Sequence, residues 1–101
     1  MPKLYEYLGI VILFYSNEHT PIHVHGNYQG KECRAEIILV DGKIVKIVFG
    51  NVKGRLPLPA VKLSAFKKLV NRYAEDIVKK WIDFFVFNKP IKPKRITREI
   101  K

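Results

Sequence analysis

All three histidines of this chain stand within seven residues, at His19, His23 and His25, with Glu18 before them and Glu32 and Glu36 after. His23 and His25 are two residues apart in a stretch rich in β-formers, so on an extended chain both imidazoles leave the same face. Imidazole titrates near neutral pH, so such a pair can serve as general acid and general base. Arg34 would add a guanidinium to stabilise a phosphorane-like charge, with Glu36 beside it. His23, His25, Arg34 and Glu36 therefore form a candidate catalytic set suited to metal-independent RNA cleavage. The same nitrogens suit a metal. His19, His23 and His25, completed by Glu18, Glu32, Glu36 or water, would fit zinc or another divalent ion, the one cofactor the sequence suggests. A third role is structural, with Glu18, His19 and His23 hydrogen-bonded across a tight corner. Neither H-E-x-x-H nor H-x-E…C-x-x-C is present, which excludes zinc-protease and zinc-deaminase readings, and there is no glycine-rich phosphate loop. Cys33, the single cysteine, cannot form an internal disulfide and reads as a small buried apolar residue.

The elements that must position these residues can be read from periodicity. Leu8 to Tyr15 is an unbroken apolar run, as expected of a strand buried on both faces. Ser16-Asn17 suits a turn, and Thr20-Pro21 an extended corner. Three segments follow, Ile22 to Tyr28, Lys31 to Val40 and Lys43 to Phe49, separated by Gln29-Gly30 and Asp41-Gly42. Two-residue loops of this type make hairpins, with Tyr28 opposite Lys31, His25 opposite Arg34 and His23 opposite Glu36. In the second hairpin Val40 should face Lys43, Ile38 Val45 and Glu36 Ile47. One face then carries Ile22, Val24, Ala35, Ile37, Leu39, Ile44 and Val48, with Lys46 its only charge. The histidines, Arg34, Glu36 and Lys43 share the other with Ile38, Val45 and Ile47.

Beyond Pro57 and Pro59, the residues Leu63, Phe66, Val70, Tyr73, Ile77, Trp81 and Phe84 recur every three or four positions, one apolar helical stripe. The stripe fits one long helix or two joined near Asn71-Arg72, and Asn88-Lys89-Pro90 ends it. The expectation is an α+β domain over residues 1–87. A small, mostly antiparallel meander of about four strands would pack against a C-terminal helix or helix pair. A barrel-like closure of the same strands is the alternative.

Residues 88–101 carry half of the net charge of +10 and two of the six prolines, so they read as a basic, disordered tail whose loss would leave stability nearly unchanged. Within it, Lys92, Lys94, Arg95 and Arg98 could hold phosphates without reading sequence. The partners expected from this charge are RNA or DNA, or an acidic protein. The longest apolar run has eight residues, well short of the ~20 needed to span a bilayer. No membrane association is expected, and a cytoplasmic location follows.

The stretch Tyr15-Ser16-Asn17-Glu18-His19-Thr20-Pro21-Ile22-His23-Val24-His25 resembles the Y-S-x-E-H-x-P-x-H-V-H hallmark of a bacterial family catalogued as domain of unknown function 4160. Trp81 with Phe84-Phe85 is similar to the family's C-terminal helical pair. The resemblance spans about Leu4 to Phe87. Ile22 departs from the family's second proline, and Gly26 stands where an apolar residue is usual. The family has no agreed activity. Its members resemble one half of a toxin–antitoxin module, which implies a small cognate partner protein and an RNA-directed role. Two functions are therefore carried forward. One is a nucleic-acid-associated protein of toxin–antitoxin type, a ribonuclease using His23 and His25. The other is a non-enzymatic interaction module whose histidines are structural or bind a metal.

Overall fold

A computed structural model describes residues 2–15 and 22–101. The Ser16-Asn17 turn, the Thr20-Pro21 corner, Glu18 and His19 lie outside the described residues. In chain order the elements are β1 (Lys3–Tyr7), β2 (Ile10–Leu13), β3 (Ile22–Tyr28), β4 (Lys31–Val40), β5 (Lys43–Asn51), α1 (Ala60–Phe85) and β6 (Lys94–Ile96). The strands form one open sheet ordered β5-β4-β3-β2-β1-β6, antiparallel except where β6 runs parallel to β1. The sheet is thus larger than the expected four strands, and it is open rather than barrel-like.

Three two-residue turns set the register. Leu8-Gly9, Gln29-Gly30 and Asp41-Gly42 each place both residues at positive φ, the geometry whose twist matches paired antiparallel strands. The last two stand at the expected positions. The first corrects the expectation of one continuous strand from Leu8 to Tyr15. Gly9 permits a reversal there although its partner is apolar, and Leu8 is left 52% exposed. β1 therefore precedes β2 as an unexpected strand.

Between β3 and β4 the observed pairs are those expected: Tyr28 with Lys31, His25 with Arg34 and His23 with Glu36. The β4–β5 hairpin starts as expected with Val40 opposite Lys43. A bulge then intervenes, with Leu39 opposite Ile44 but Ile38 opposite Lys46. One extra residue in β5 reverses the facing of everything after it. Ile47 and Phe49 pair with Ile37 and Ala35 and pack on the core, whereas Val48 is exposed, contrary to the straight pairing. The physical gain is clear at Lys46, which the bulge moves from the helix-covered face to the outer one, where its ammonium keeps its water.

α1 covers the inner face. Phe66, Leu69, Val70 and Ile77 share one core with Val24, Ala35, Ile37 and Ile12, and the Phe14 ring lies 5.7 Å from that of Phe85 near the C-terminal end of the helix. There is one helix, not a pair. No glycine or proline interrupts residues 60–85, and the helix runs through with one kink. A kink at Tyr73 (φ −107°, ψ 16°) falls close to the joint read at Asn71-Arg72, and the Asn71 amide bonds back to the Lys67 carbonyl at 2.9 Å. Next to the kink the Tyr5 hydroxyl donates to Asp76, which Lys80 also contacts at 2.8 Å. Burial, then the Asp76 bond, push the Tyr5 phenol well above its ordinary range. Burial works against ionising Asp76, but the bonds from Lys80 and Tyr5 outweigh it and hold the carboxyl low.

The basic tail is also ordered in this fold, against expectation. β6 pairs with the open side of β1, and Ile91, Ile96 and Ile100 pack against the core. The Ile100 N–H donates to the Tyr7 hydroxyl at 2.8 Å. Three isoleucines spaced through the tail are the apolar surface that the charge count concealed. Among the described residues no helix is long and apolar enough to cross a membrane.

Candidate functional site

The alternation of β3 separates two environments. Ile22, Val24 and Gly26 turn toward α1, and His23, His25 and Asn27 turn to the outer face. Glu32, Arg34 and Glu36 of β4 share that outer face as cross-strand partners of Asn27, His25 and His23. All four residues of the expected catalytic set are therefore brought together.

The outer face is not uniformly solvated. His25 is 6% exposed and Glu32 only 1%. A buried carboxylate is costly unless donors surround it. Glu32 accepts from the Tyr15 hydroxyl at 2.9 Å to each oxygen, meets His25 Nδ1 at 3.0 Å and accepts from Asn27 Nδ2 at 3.3 Å. Tyr15 lies across the strands from the end of β2, its ring edge-on to His25 with centroids 4.4 Å apart. The Glu32 backbone N–H donates to the Leu56 carbonyl at 2.9 Å, tying the start of β4 to the connection before α1.

The chemistry of this arrangement follows from the His25–Glu32 pair. The 3.0 Å contact orients the imidazole, and a proton on Nδ1 directed at the carboxylate would leave Nε2 as the accepting nitrogen. His23 is half-buried beside it, with ring centroids 5.4 Å apart and planes at 62°. Arg34 contacts Glu36 at 3.4 Å with its side chain 44% exposed, an ion pair loose enough to exchange for a bound anion.

The remaining expectations are distributed differently. Among the described residues no three of His, Cys, Asp and Glu are grouped to hold a metal ion, and His19 of the proposed set lies outside them. Glu32, considered as a metal ligand, contacts His25 Nδ1. Cys33 is buried, as expected, and its Sγ accepts from the Leu58 N–H at 3.4 Å. Lys92, Lys94, Arg95 and Arg98 are exposed, but β1 and β2 separate β6 from β3. Three strand spacings are about 14 Å, so the tail cations do not join the histidines directly. Arg95 pairs with Glu6 at 3.3 Å, and the Lys94 ammonium sits 6.0 Å from the centre of the Tyr73 ring. Tyr15 opens the motif that carries the family resemblance, yet the sequence assigns it no role, and Asn27 is not singled out from sequence. Asn27 continues the two-residue spacing of His23 and His25, and that period was the signal available for it.

A family model described as Domain of unknown function (DUF4160) matches residues 9–82, from the first hairpin turn into the last turns of α1. No curated protein and no solved structure matches the chain.

Proposed function

The chain belongs to the DUF4160 family, and from that premise we propose that it is an RNA-directed protein of toxin–antitoxin type that cleaves RNA by general acid–base chemistry on the outer face of its sheet. The observation that carries this reading is the buried 3.0 Å contact between His25 Nδ1 and Glu32, beside a second histidine. His25 Nε2 takes the proton of a ribose 2′-hydroxyl, and the oxygen attacks the adjacent phosphorus. His23 in its protonated form gives a proton to the departing 5′-oxygen. Arg34 offsets the charge that builds on the non-bridging oxygens. The products are a 2′,3′-cyclic phosphate and a 5′-hydroxyl, and no water or metal is consumed. The exposed cations of β6 lie at a distance that a single strand could span, so they would hold flanking phosphates.

The test is cleavage of a short RNA by purified protein, with products identified by mass. His23→Gln and His25→Gln should each lower the rate by about 10²–10⁴-fold while leaving the fold intact. Cleavage unchanged in His25→Gln would overturn the mechanism. The second reading, an interaction module with structural histidines, draws on the near-complete burial of Glu32 and His25. Induced expression in a bacterial host separates the two, because growth arrest that survives His23→Ala/His25→Ala would come from binding alone.

A further inference from the structure

The two edges of the sheet are unlike. β6 closes one side with three residues, preceded by Pro90 and Pro93 and carrying Lys94 and Arg95. A short, cationic, proline-flanked edge resists further pairing. β5 closes the other side with nine residues and no proline. Among the described residues no strand meets its outer row of amides and carbonyls. Val45 and Val48 along it are 57% and 44% exposed. Below this edge a groove of about 560 Å³ opens toward α1, with Leu39, Ile44, Val78 and Ile82 as its apolar lining. Lys43 and Lys79 border it, and Lys46 and Arg72 border its continuation along the strand, against two acids, Glu75 and Asp83.

We propose that β5 is a strand-addition site for an acidic, extended segment of a partner protein. The partner backbone would continue the sheet past β5. Its acidic side chains would meet Lys43 and Lys46, and the alternate apolar ones would enter the groove beside Ile44. After the bulge, Lys46 to Asn51 gives six regularly paired residues, about 20 Å of strand and enough to fix a register. Charge decides among occupants. A second copy would bring another +10 to a surface where cations already outnumber acids, so the lysines that oppose self-pairing favour an acidic strand. A nucleic acid has no amide row to extend a sheet and gains nothing from an apolar groove. This inference does not rest on the histidine site, which lies on β3 and the start of β4.

The experiment uses the full chain and a fluorescent peptide of alternating glutamate and valine, seven residues long, at low salt. A control peptide of equal charge carries proline in place of its central valine. Fluorescence anisotropy should show binding of the first peptide and at least tenfold weaker binding of the second. Hydrogen exchange should show β5 amides gaining protection in the complex. Lys46→Glu, at an exposed position whose exchange leaves the core untouched, should weaken the first peptide by about tenfold or more. Equal binding of the two peptides would reduce the interaction to non-specific charge and overturn the proposal. So would β5 protection that arises from a dimer of the free protein in sedimentation. A Lys46→Glu variant that loses affinity for a short RNA but not for the peptide would also overturn it.

Discussion

Replacing Tyr15 with phenylalanine removes one hydroxyl and leaves the ring, and the structure fixes what that should cost. The hydroxyl lies 2.9 Å from both oxygens of Glu32, a carboxylate almost wholly withdrawn from water. A hydrogen bond to a charged group contributes roughly 1.5–3 kcal/mol, and loss of a donor from a buried acceptor is not made good by solvent. His25 and Asn27 still serve the carboxylate, which places the expected loss near ~2 kcal/mol. For a domain of this size that corresponds to a fall in Tm of roughly 8–16 °C. Urea unfolding at fixed pH, read by the fluorescence of Trp81, measures it directly. The control is the same substitution in a Glu32→Gln background, where the acceptor is neutral and the hydroxyl should be worth under ~1 kcal/mol. A single variant within ~0.5 kcal/mol of wild type would refute the reasoning, as would strict additivity in the double variant.

Two further outcomes follow from packing. A methyl group on Gly26 would stand 2.7 Å from two ring carbons of the fully buried Phe66, so Gly26→Ala should destabilise by about 1–3 kcal/mol. Phe66→Leu in the same chain should recover part of that coupling, and a loss under ~0.5 kcal/mol would mean the ring yields freely. Truncation after Pro90 removes β6 and the partly buried Ile91, Ile96 and Ile100, and should cost about 2–4 kcal/mol in urea unfolding. An unchanged midpoint would show that the strand adds nothing to the sheet.

What could be read in advance was whatever depends on a two-residue or a four-residue period. His23 and His25 had to share a face with Arg34 and Glu36, and a two-residue turn at Gln29-Gly30 sets them directly opposite, whereas a loop two residues longer would have kept the face and put Glu32 opposite His25. The stripe from Phe66 to Trp81 likewise had to be buried. What escaped reading was local and unperiodic. Leu8-Gly9 lies inside an apolar run, so its single glycine carried the whole signal of a reversal. The β5 bulge leaves no mark in the sequence except the misfit of Lys46 on an apolar face. β6 was hidden because its cations dominate its composition, whereas its place in the fold is set by three isoleucines and by the unpaired side of β1. The burial of Glu32 is not legible in the sequence, since it depends on Tyr15 reaching it from beyond the end of β2.

The two sides of β3 now explain each other. On the inner side, a Cβ at Gly26 would stand 2.7 Å from the Phe66 ring, so a larger side chain would collide there. On the outer side, the Glu32 carboxylate contacts His25 and is itself held by Tyr15 and Asn27. Stability alone gives little reason for that outer cluster. A buried ionised group with its partners is often no more stabilising than well-packed apolar residues of the same volume. An aliphatic side chain at position 32 could fill the space beneath Tyr15 without any carboxylate to satisfy. What only the carboxylate supplies is a directed contact that fixes the ring orientation of His25, on a strand packed from below by an aromatic core residue. Rigid mounting of one imidazole next to another is what proton transfer requires and what packing does not. On the proposed mechanism, that difference centres the proton transfer on the His25–Glu32 pair, with His23 beside it.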